Sequence, residues 1–264
     1  MVNILYAIIV LGVLGGVFGI VLAVASKVFA VDKDERLELI EASLPGANCG
    51  GCGYAGCSAY AQAIVENGAP TNACSAGGDS VAKKIANIMG VEQQNSEKKV
   101  ALVRCSGGCN ANKKFENYQG LHDCVAASKI LGGNTQCSYA CLGFGTCLSA
   151  CKFEAISIIN GVAIVNPEKC TGCMACSKVC PRNIIAPKPY GNNVYVPCHS
   201  IDKGADTRKY CTVGCIGCKI CEKTCQFDAI HVENNLASID YSKCTECGAC
   251  IEKCPRKIIS LIKH

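Results

Sequence analysis

CTGCMACSKVCP, the stretch from Cys170 to Pro181, spaces four cysteines by two, two and three residues and ends in proline. The same pattern returns near the C-terminus as CTECGACIEKCP, from Cys244 to Pro255. Three cysteines at this spacing can surround one corner of an inorganic cube, while the fourth reaches a neighbouring cube. Both stretches therefore predict thiolate ligands of [4Fe–4S] clusters.

The chain holds 25 cysteines among 264 residues, and this number has two other interpretations. A secreted disulfide scaffold is one, but disulfide spacings rarely repeat this regularly, and an odd number leaves one thiol over. Zinc binding explains single Cys-x2-Cys pairs, but not four-cysteine runs that end in proline. Because Trp is absent and aromatic residues make up only 6% of the chain, we expect metal clusters to organise small domains.

The formal net charge of +5 counts every cysteine as neutral. A [4Fe–4S] cluster with four thiolates carries about −2, so six clusters would change the net charge to roughly −7. The positive formal charge is therefore no sign of nucleic-acid binding. Since the chain also has no long run of Lys or Arg, we expect no nucleic-acid partner.

The N-terminal residues 1–26 predict a membrane anchor. No charged side chain occurs before Lys27, and the stretch from Ile4 to Ala25 is almost all apolar or Gly. A helix of that length spans a hydrocarbon core of about 30 Å, and no basic residue precedes it as in a signal peptide. Lys27, Lys33 and Arg36 follow the span. The positive-inside rule then predicts a single-pass protein of the cell membrane, with its soluble part in the cytoplasm and its N-terminus outside.

A second pattern, Cys49-x2-Cys52-x4-Cys57-x16-Cys74, predicts one further cluster. It lies in a predicted helical domain, residues 35–92, which follows a juxtamembrane linker, 27–34. The glycines within the pattern would let the backbone approach a cluster closely. Residues 51–56 also match Gly-x-Gly-x-x-Gly, but no strand precedes them, so we expect no NAD or flavin bound directly. The expected ligands of this first cluster are Cys49, Cys52, Cys57 and Cys74.

The C-terminal half of the chain contains an internal repeat, in which each cysteine of one unit matches a cysteine of the other at a constant offset. In each unit an insert of equal length separates the two cysteine runs. The inserts carry Asn160-Gly161 and Asn234-Asn235, which predict hairpins. Each unit therefore predicts a ferredoxin-like module with two [4Fe–4S] clusters. The modules cover residues 135–190 and 191–264, after a connecting segment, 93–134. The predicted fold class is α+β, built from small iron–sulfur domains.

The fourth cysteine of a run serves the other cluster of a two-cluster module. This rule assigns three clusters without an alternative. The expected ligand sets are Cys151 with Cys170, Cys173 and Cys176; Cys215, Cys218 and Cys221 with Cys254; and Cys225 with Cys244, Cys247 and Cys250.

The other cluster of the first module lacks one usual ligand, because Phe144 stands where the second module has Cys218. Either another cysteine replaces the missing ligand, or this cluster has three protein ligands. We expect Cys137 to replace it, since Gly143 and Gly145 add flexibility to the loop. The expected set is Cys137, Cys141, Cys147 and Cys180.

Five cysteines lie outside these sets and could supply a sixth cluster. Some of them could instead be buried free thiols, which behave as small apolar side chains. We expect a sixth cluster in addition to the five above, with Cys109 as a competitor for one position. The expected ligands are Cys105, Cys124, Cys198 and Cys211.

The order of these parts resembles one protein family. An uncharged N-terminal span, then LPGANCGGCGYAGC from Leu44 to Cys57, then ferredoxin modules is similar to the B subunit of the Rnf complex, in the longer form found in anaerobes. Lys152 and Gln226 depart from the usual ferredoxin motif, which has proline there. The resemblance implies a membrane oxidoreductase that passes electrons between reduced ferredoxin and NAD+ and couples this to Na+ or H+ translocation. It also implies that this chain receives electrons from soluble ferredoxin and delivers them to other membrane subunits.

The sequence contains no phosphate-binding loop and no nucleophile elbow, so no complete active site is expected on this chain alone. We expect electron entry at the ferredoxin modules and exit at the first cluster, next to the anchor. A polyferredoxin that serves a membrane hydrogenase or CO dehydrogenase is one alternative. A zinc-binding or structural cysteine-rich membrane protein is another.

Overall fold

The structure, a computed structural model, describes residues 2–28, 34–93, 97–112, 118–130 and 132–262. Over these residues the protein combines short helices with two-stranded antiparallel sheets, which confirms the predicted α+β class. Most of the predicted juxtamembrane linker, including Lys33, lies outside the described residues, as does Met1.

The first helix, α1, covers Val2–Val28. Its described side chains are almost all exposed, among them Leu11, Phe18 and Leu22. Counted over the residues that the structure describes, no helix combines the length and the apolar character that a membrane crossing requires.

Three helices form the N-terminal cluster domain: α2 (Glu35–Ser43), α3 (Cys57–Asn67) and α4 (Gly78–Met89). Asp34 caps α2 by accepting a hydrogen bond from the backbone N–H of Arg36. Gly68 and Gly90 directly follow α3 and α4 and cap them, both in the left-handed conformation that glycine adopts without steric cost. The shared core contains Ile40, Tyr60, Ile64 and Ile85.

The first ferredoxin module has two small sheets and three short helices. Strand β1 pairs with β4, with Val103 opposite Ile185, and β2 pairs with β3. Strand β1 comes from the connecting segment, 93–134, and it completes the sheet of this module. The elements are β1 (Lys99–Val103), α5 (Cys124–Lys129), α6 (Thr146–Ser149), β2 (Ile156–Ile159), β3 (Val162–Val165), α7 (Ala175–Lys178) and β4 (Ile185–Pro189).

The second module repeats this plan. Strand β5 pairs with β8 at the end of the described chain, and β6 pairs with β7. The cores also correspond, since Ile184 in the first and Ile258 in the second are both buried. The elements are β5 (Val194–Tyr195), α8 (Gly204–Tyr210), α9 (Ile220–Thr224), β6 (Ile230–Glu233), β7 (Leu236–Ile239), α10 (Ala249–Lys253) and β8 (Ser260–Leu261).

Both predicted hairpins are present. Asn160 and Gly161 have φ of 50° and 75°, and Asn234 and Asn235 have φ of 47° and 63°. Positive φ at both central residues is the requirement of a type I′ turn, which fits the right-handed twist of the flanking strands. Each hairpin places the two cysteine runs of its module on either side of one small core.

Candidate metal centres

All 25 cysteines lie in the described part of the chain, and no disulfide joins any of them. Within that part, no group of three or more His, Cys, Asp or Glu side chains is close enough to hold a single metal ion. A [4Fe–4S] core is wider than one ion and takes one thiolate at each of its four irons. A fitting site is therefore a small cavity lined by four cysteines.

Three cavities are lined by cysteine sets that the crossed rule predicts. Each set takes three cysteines from one run and the fourth from the other run of the same module. The structure brings together Cys151, Cys170, Cys173 and Cys176; Cys215, Cys218, Cys221 and Cys254; and Cys225, Cys244, Cys247 and Cys250.

The short helices explain how the sequence places the third cysteine of each run. In each case this cysteine is the second residue of the helix, and a residue in the left-handed conformation precedes the helix. The left-handed residue turns the chain just before the helix, and the helix then places its cysteine at the same cavity as the preceding cysteine or cysteines of its run. The pairs are Gly145 with Cys147, Met174 with Cys176, Lys219 with Cys221, and Gly248 with Cys250.

The N-terminal domain gathers its own four cysteines. Burial raises the pKa of Cys74, and nearby Cys52, Cys57 and Cys49 raise it further through like charge, which places the four thiols together. The Tyr60 hydroxyl donates to the backbone oxygen of Pro70 (2.6 Å) and accepts from the N–H of Ala73 (3.1 Å), which fixes the chain just before Cys74.

The loop before α3 is shaped by one amide side chain. Oδ1 of Asn48 accepts a hydrogen bond of 2.8 Å from the backbone N–H of Cys57, the first residue of α3. Asn48 and Gly50 both have positive φ, so the chain turns tightly around Cys49 and toward Cys52. This turn explains why glycines are dense within the pattern.

The remaining cavity of the first module differs from the prediction. Cys124, and not Cys137, lines it. The reason is a link between two helix starts: the N–H of Cys124 donates to Oγ1 of Thr146 (2.9 Å), which donates to Oδ2 of Asp123 (2.8 Å). This link holds the start of α5 against α6. The cysteines brought together are Cys124, Cys141, Cys147 and Cys180.

A further cavity is formed where the two modules meet. Cys137 takes the position that the sequence predicts for Cys124, and Cys109 is exposed and does not line the cavity. The expected sets of two clusters therefore differ from the structure by the exchange of Cys137 and Cys124. The cysteines brought together here are Cys105, Cys137, Cys198 and Cys211.

Burial controls the protonation of these thiols in the iron-free chain. It raises the pKa of Cys105 and Cys147 to about 12 and that of Cys137 to about 11, and neighbouring cysteines add to the effect. The thiols are therefore neutral near pH 7, and each must release a proton to bind iron.

Two arginines at equivalent positions of the repeat border the cavities. Arg182 donates to the backbone oxygens of Ser138 and Gly132, and it lines the cavity of Cys124. Arg256 donates to the backbone oxygen of Cys211 (2.6 Å) and lines the cavity of Cys215. Their positive charges offset the negative charge of nearby thiolates.

The N-terminal domain contacts the first module directly. The contact joins two cysteine loops, the one that holds Gly50 and Gly51 and the one that holds Cys173. A Cβ on Gly51 would lie 2.9 Å from Cα of Cys173. Lys178 and Lys152 donate from Nζ to the backbone oxygens of Gly50 (3.1 Å) and Ala47 (2.7 Å). The absence of a side chain at position 51 thus permits close approach of two cysteine loops.

Comparison with known families supports three of these regions. Residues 44–76 match the family described as "Putative Fe-S cluster". Residues 214–259 match "4Fe-4S dicluster domain", and residues 163–186 match "4Fe-4S binding domain". Nine cysteines lie outside these three ranges: Cys105, Cys109, Cys124, Cys137, Cys141, Cys147, Cys151, Cys198 and Cys211.

Curated relatives match nearly the whole chain. The chain is 49% identical over 252 residues to the B subunit of the Na+-translocating ferredoxin:NAD+ oxidoreductase complex of Acetobacterium woodii, covering 95% of this chain and 76% of that protein. It is 46% identical to the B subunit of the ion-translocating oxidoreductase complex of Methanosarcina acetivorans, covering 96% of each. It is 43% identical to the B subunit of the proton-translocating ferredoxin:NAD+ oxidoreductase complex of Clostridium ljungdahlii, covering 98% and 93%. The chain therefore belongs to the family formed by the B subunits of Rnf ion-translocating oxidoreductase complexes.

Proposed function

We propose that this chain carries electrons from reduced ferredoxin into a membrane-bound, ion-translocating ferredoxin:NAD+ oxidoreductase complex. The observation that supports this most strongly is the repeated gathering of four cysteines around small cavities in a chain of this family. A bound [4Fe–4S] cluster takes up and releases one electron without the transfer of an atom. Its relatives are subunits of oxidoreductase complexes, so this chain acts as part of an enzyme complex.

The proposed ligands of five clusters follow the grouping of the cysteines. Four sets are those that the cysteine runs predict, and the fifth contains Cys124 in place of Cys137. The proposed sets are Cys49, Cys52, Cys57 and Cys74; Cys124, Cys141, Cys147 and Cys180; Cys151, Cys170, Cys173 and Cys176; Cys215, Cys218, Cys221 and Cys254; and Cys225, Cys244, Cys247 and Cys250.

Backbone N–H groups support these assignments, because they donate to cysteine sulfurs. The N–H of Ala101 lies 3.4 Å from Sγ of Cys170, and that of Ala229 lies 3.4 Å from Sγ of Cys225. Such donors stabilise a thiolate and are one of the factors that set the potential of an iron–sulfur cluster. The residues present therefore suit negatively charged sulfur ligands.

The contact of Gly51 with Cys173 supports an electron path from the first module to the N-terminal domain. Electron transfer weakens steeply with distance, so the two cysteine loops need this close approach. We assign exit from the chain to the N-terminal cluster, which follows α1 in sequence. Entry is assigned to the ferredoxin modules, where Cys218 and Cys247 of the second module are exposed.

We also propose that α1 anchors the chain in the cell membrane. The sequence before Lys27 carries no charged side chain, and the apolar side chains described in α1 are exposed rather than packed on the domains. The proposed topology is single-pass, with the soluble domains in the cytoplasm and the N-terminus outside, following Lys27 and Arg36. Soluble ferredoxin and the other membrane subunits are the proposed partners.

The exit assignment is tested by replacing Cys57 with Ala in the assembled complex. We expect the N-terminal cluster to be lost and ferredoxin-dependent NAD+ reduction to fall to background, while the other clusters are still reduced by ferredoxin. Cys109→Ala is the matched control, because Cys109 lines none of the cavities described above. NAD+ reduction at the normal rate in a Cys57→Ala complex that lacks this cluster would refute the exit assignment.

A further inference from the structure

One position of the internal repeat holds glycine in three places and glutamate in the fourth. It lies two residues after Cys141, Cys170, Cys215 and Cys244. All four residues have a left-handed backbone, in which a residue other than glycine is uncommon. They are Gly143, Gly172, Gly217 and Glu246, with φ of 78°, 70°, 63° and 59°. The second module therefore carries a carboxyl side chain where the rest of the repeat has none.

The backbone at the glycines packs too closely for a side chain. A Cβ on Gly172 would lie 2.3 Å from the backbone oxygen of Lys99, the first residue of β1. A Cβ on Gly217 would lie 2.8 Å from Cα of Asn235, in the hairpin of its own module. At Glu246, which matches Gly172 in the repeat, a side chain makes the contact instead.

The carboxylate of Glu246 is bound to the chain just before β5. Its Oε1 accepts a hydrogen bond of 2.8 Å from the backbone N–H of Asn193, and its Oε2 accepts one of 3.3 Å from Nδ2 of the same residue. The backbone oxygen of Asn193 accepts from the N–H of Ile262 (2.9 Å). Hydrogen bonds to a charged group are stronger than those between neutral groups. Both carboxylate oxygens are thus held in place against the second module.

A buried lysine holds the turn that leads from β4 to β5. Lys188 is only 1% exposed, and its Nζ donates to the backbone oxygens of Pro189 (2.9 Å) and Asn192. Burial lowers the pKa of Lys188, and the negative charge of nearby Glu246 raises it in part. A buried ammonium group needs such partners, because its separation from water costs free energy. Lys188 therefore fixes the turn beside Asn193 and supplies a positive charge near Glu246.

Glu246 also borders one of the cluster sites. It directly precedes Cys247 and lines the cavity of Cys225, Cys244, Cys247 and Cys250, here termed the Cys247 cavity. Among the described residues that line the five cysteine cavities of the modules, Glu246 alone has a carboxyl group. Arg256 lines the cavity of Cys215, which is the other cluster site of the second module. The two sites of this module thus differ in the sign of the charge beside them.

That difference has a consequence for reduction. A [4Fe–4S] cluster with four thiolates carries about −2 when oxidised, and reduction adds one negative charge. A fixed carboxylate disfavours the added electron, whereas a fixed positive charge favours it, and charge is one of the factors that set the potential. The chain therefore carries the means to separate the potentials of two neighbouring sites.

We propose that Glu246 lowers the reduction potential at the Cys247 cavity, and that buried Lys188 is a positioning residue that partly offsets this charge. The inference rests on the proposed electron-transfer function. An electron shared by the two sites of the second module then resides mainly at the site with Arg256. That distribution favours movement of electrons away from the exposed Cys247.

The test is an anaerobic redox titration of the full chain, followed by electron paramagnetic resonance. The Cys247→Ala variant identifies the signal of the Cys247 cavity, because that signal should be lost. Glu246→Gln removes the charge but keeps the length of the side chain. We expect its potential at this cavity to rise, with a change of up to about tenfold in the one-electron equilibrium, or about 59 mV. Exposed Glu233→Gln is the control and should leave the potential unchanged.

Two further variants separate charge from structure. Glu246→Gly introduces the residue that the repeat has at the matching position, so it removes the carboxylate without backbone strain and should also raise the potential. Lys188→Met removes the positive charge and keeps a long apolar side chain, so it should lower the potential. Shifts of opposite sign support an effect of charge, and a rise in Lys188→Met would refute the role of Lys188.

The outcomes also separate this inference from the proposed function. An unchanged or lowered potential in both Glu246→Gln and Glu246→Gly, with wild-type iron content, would overturn the role of Glu246 and leave the electron-transfer function intact. A wild-type chain with no reducible cluster signal would overturn both.

Discussion

At the scale of single residues, Gly51 controls the approach of the N-terminal domain to the first module. Its missing side chain lets the backbone lie against Cα and Cβ of Cys173, where an added Cβ would be 2.9 Å from both. Backbone cannot move as easily as the end of a flexible side chain. The distance between the two cysteine loops therefore depends on glycine at position 51, which has a hydrogen atom where alanine would have a methyl group.

We predict that Gly51→Ala slows electron transfer without removing iron. Overpacking typically costs about 1–3 kcal/mol, and here it would separate the two loops. The expected result is an unchanged iron content and slower reduction of NAD+ by ferredoxin in the assembled complex. Gly191→Ala is the control, because a Cβ there meets no atom within 4 Å. An equal rate in both variants would contradict this role of Gly51.

Arg182 and Arg256 place a positive charge at equivalent cavities. We predict that Arg256→Gln lowers the reduction potential of the cluster at the Cys215 cavity, because a positive charge favours the more negative, reduced form. The shift should be on the order of 59 mV or less, which is a tenfold change for one electron. A redox titration followed by electron paramagnetic resonance measures it, with exposed Lys209→Gln as the control. A raised potential would contradict the prediction.

Proton release predicts how cluster binding depends on pH. Burial raises the pKa of Cys147 to about 12 and that of Cys137 to about 11 in the iron-free chain. Lower pH therefore favours the protonated, iron-free thiols, and higher pH favours cluster binding. Stability of the iron-free chain has the opposite dependence: the raised pKa values stabilise it below the ordinary thiol pKa, and this stabilisation is lost as pH rises through the folded values.

The measurement is the iron that an anaerobic sample retains after equilibration with a chelator. We expect less iron at about pH 6 than at about pH 8, since each ligand binds one proton when iron leaves. Equal retention at both values would show that proton binding to these thiols does not limit cluster release.

At the scale of elements, helix α5 is important because it begins with a proposed ligand. Asp123 accepts hydrogen bonds from the N–H of Ala126 (2.8 Å) and from Oγ1 of Thr146 (2.8 Å). Both bonds lower the pKa of Asp123 below its usual value, and the bond from Ala126 has the larger effect. They fix Cys124 beside α6 and thus beside Cys147.

We predict that Asp123→Ala weakens the cluster at this cavity, whereas Asp123→Asn preserves it because Asn also caps helices well. The expected loss in Asp123→Ala is about four iron per chain. Since the carboxylate has a lowered pKa, its contribution is present above its ordinary pKa and is lost as pH falls through the folded value. Full iron content in Asp123→Ala would show that other contacts suffice to hold Cys124.

Local patterns predict the elements better than they predict the pairing between distant elements. The two hairpins follow from the residues between their strands, and both are present with positive φ at both central residues. The pairing of β1 with β4 joins Val103 to Ile185, which lie far apart in the sequence, and no local signal fixes it. The same holds for Cys105 and Cys198, which follow β1 and β5 but are not related by the constant offset of the repeat.

At the scale of the whole molecule, contacts between distant parts of the chain decide which cavity Cys137 and Cys124 line. Within a run, spacing alone brings three cysteines to one cavity, and the repeat identifies the fourth. Cys124 reaches its cavity only through the contact of Asp123 with Thr146, and Cys137 only through the junction of the modules. Those contacts are tertiary, so the spacing of the cysteines could not distinguish the two.

The cysteine-lined cavities follow one another from the second module through the first module to the N-terminal domain. The second module meets the first at the junction of Cys198 with Cys105, and the first meets the N-terminal domain at Cys173 and Gly51. Helix α1 precedes the N-terminal domain in the sequence. A chain whose small domains contact one another at cysteine loops is suited to electron transfer over its whole length.

The proposed function depends on cysteine thiolates that hold [4Fe–4S] clusters in this chain. The most direct test is the content of iron, acid-labile sulfide and zinc in the anaerobically purified protein, together with the electron paramagnetic resonance spectrum after reduction. We predict iron and sulfide in equal amounts, about four of each for every four-cysteine cavity, and paramagnetic signals of reduced clusters. Zinc without sulfide, and no signal after reduction, would contradict it.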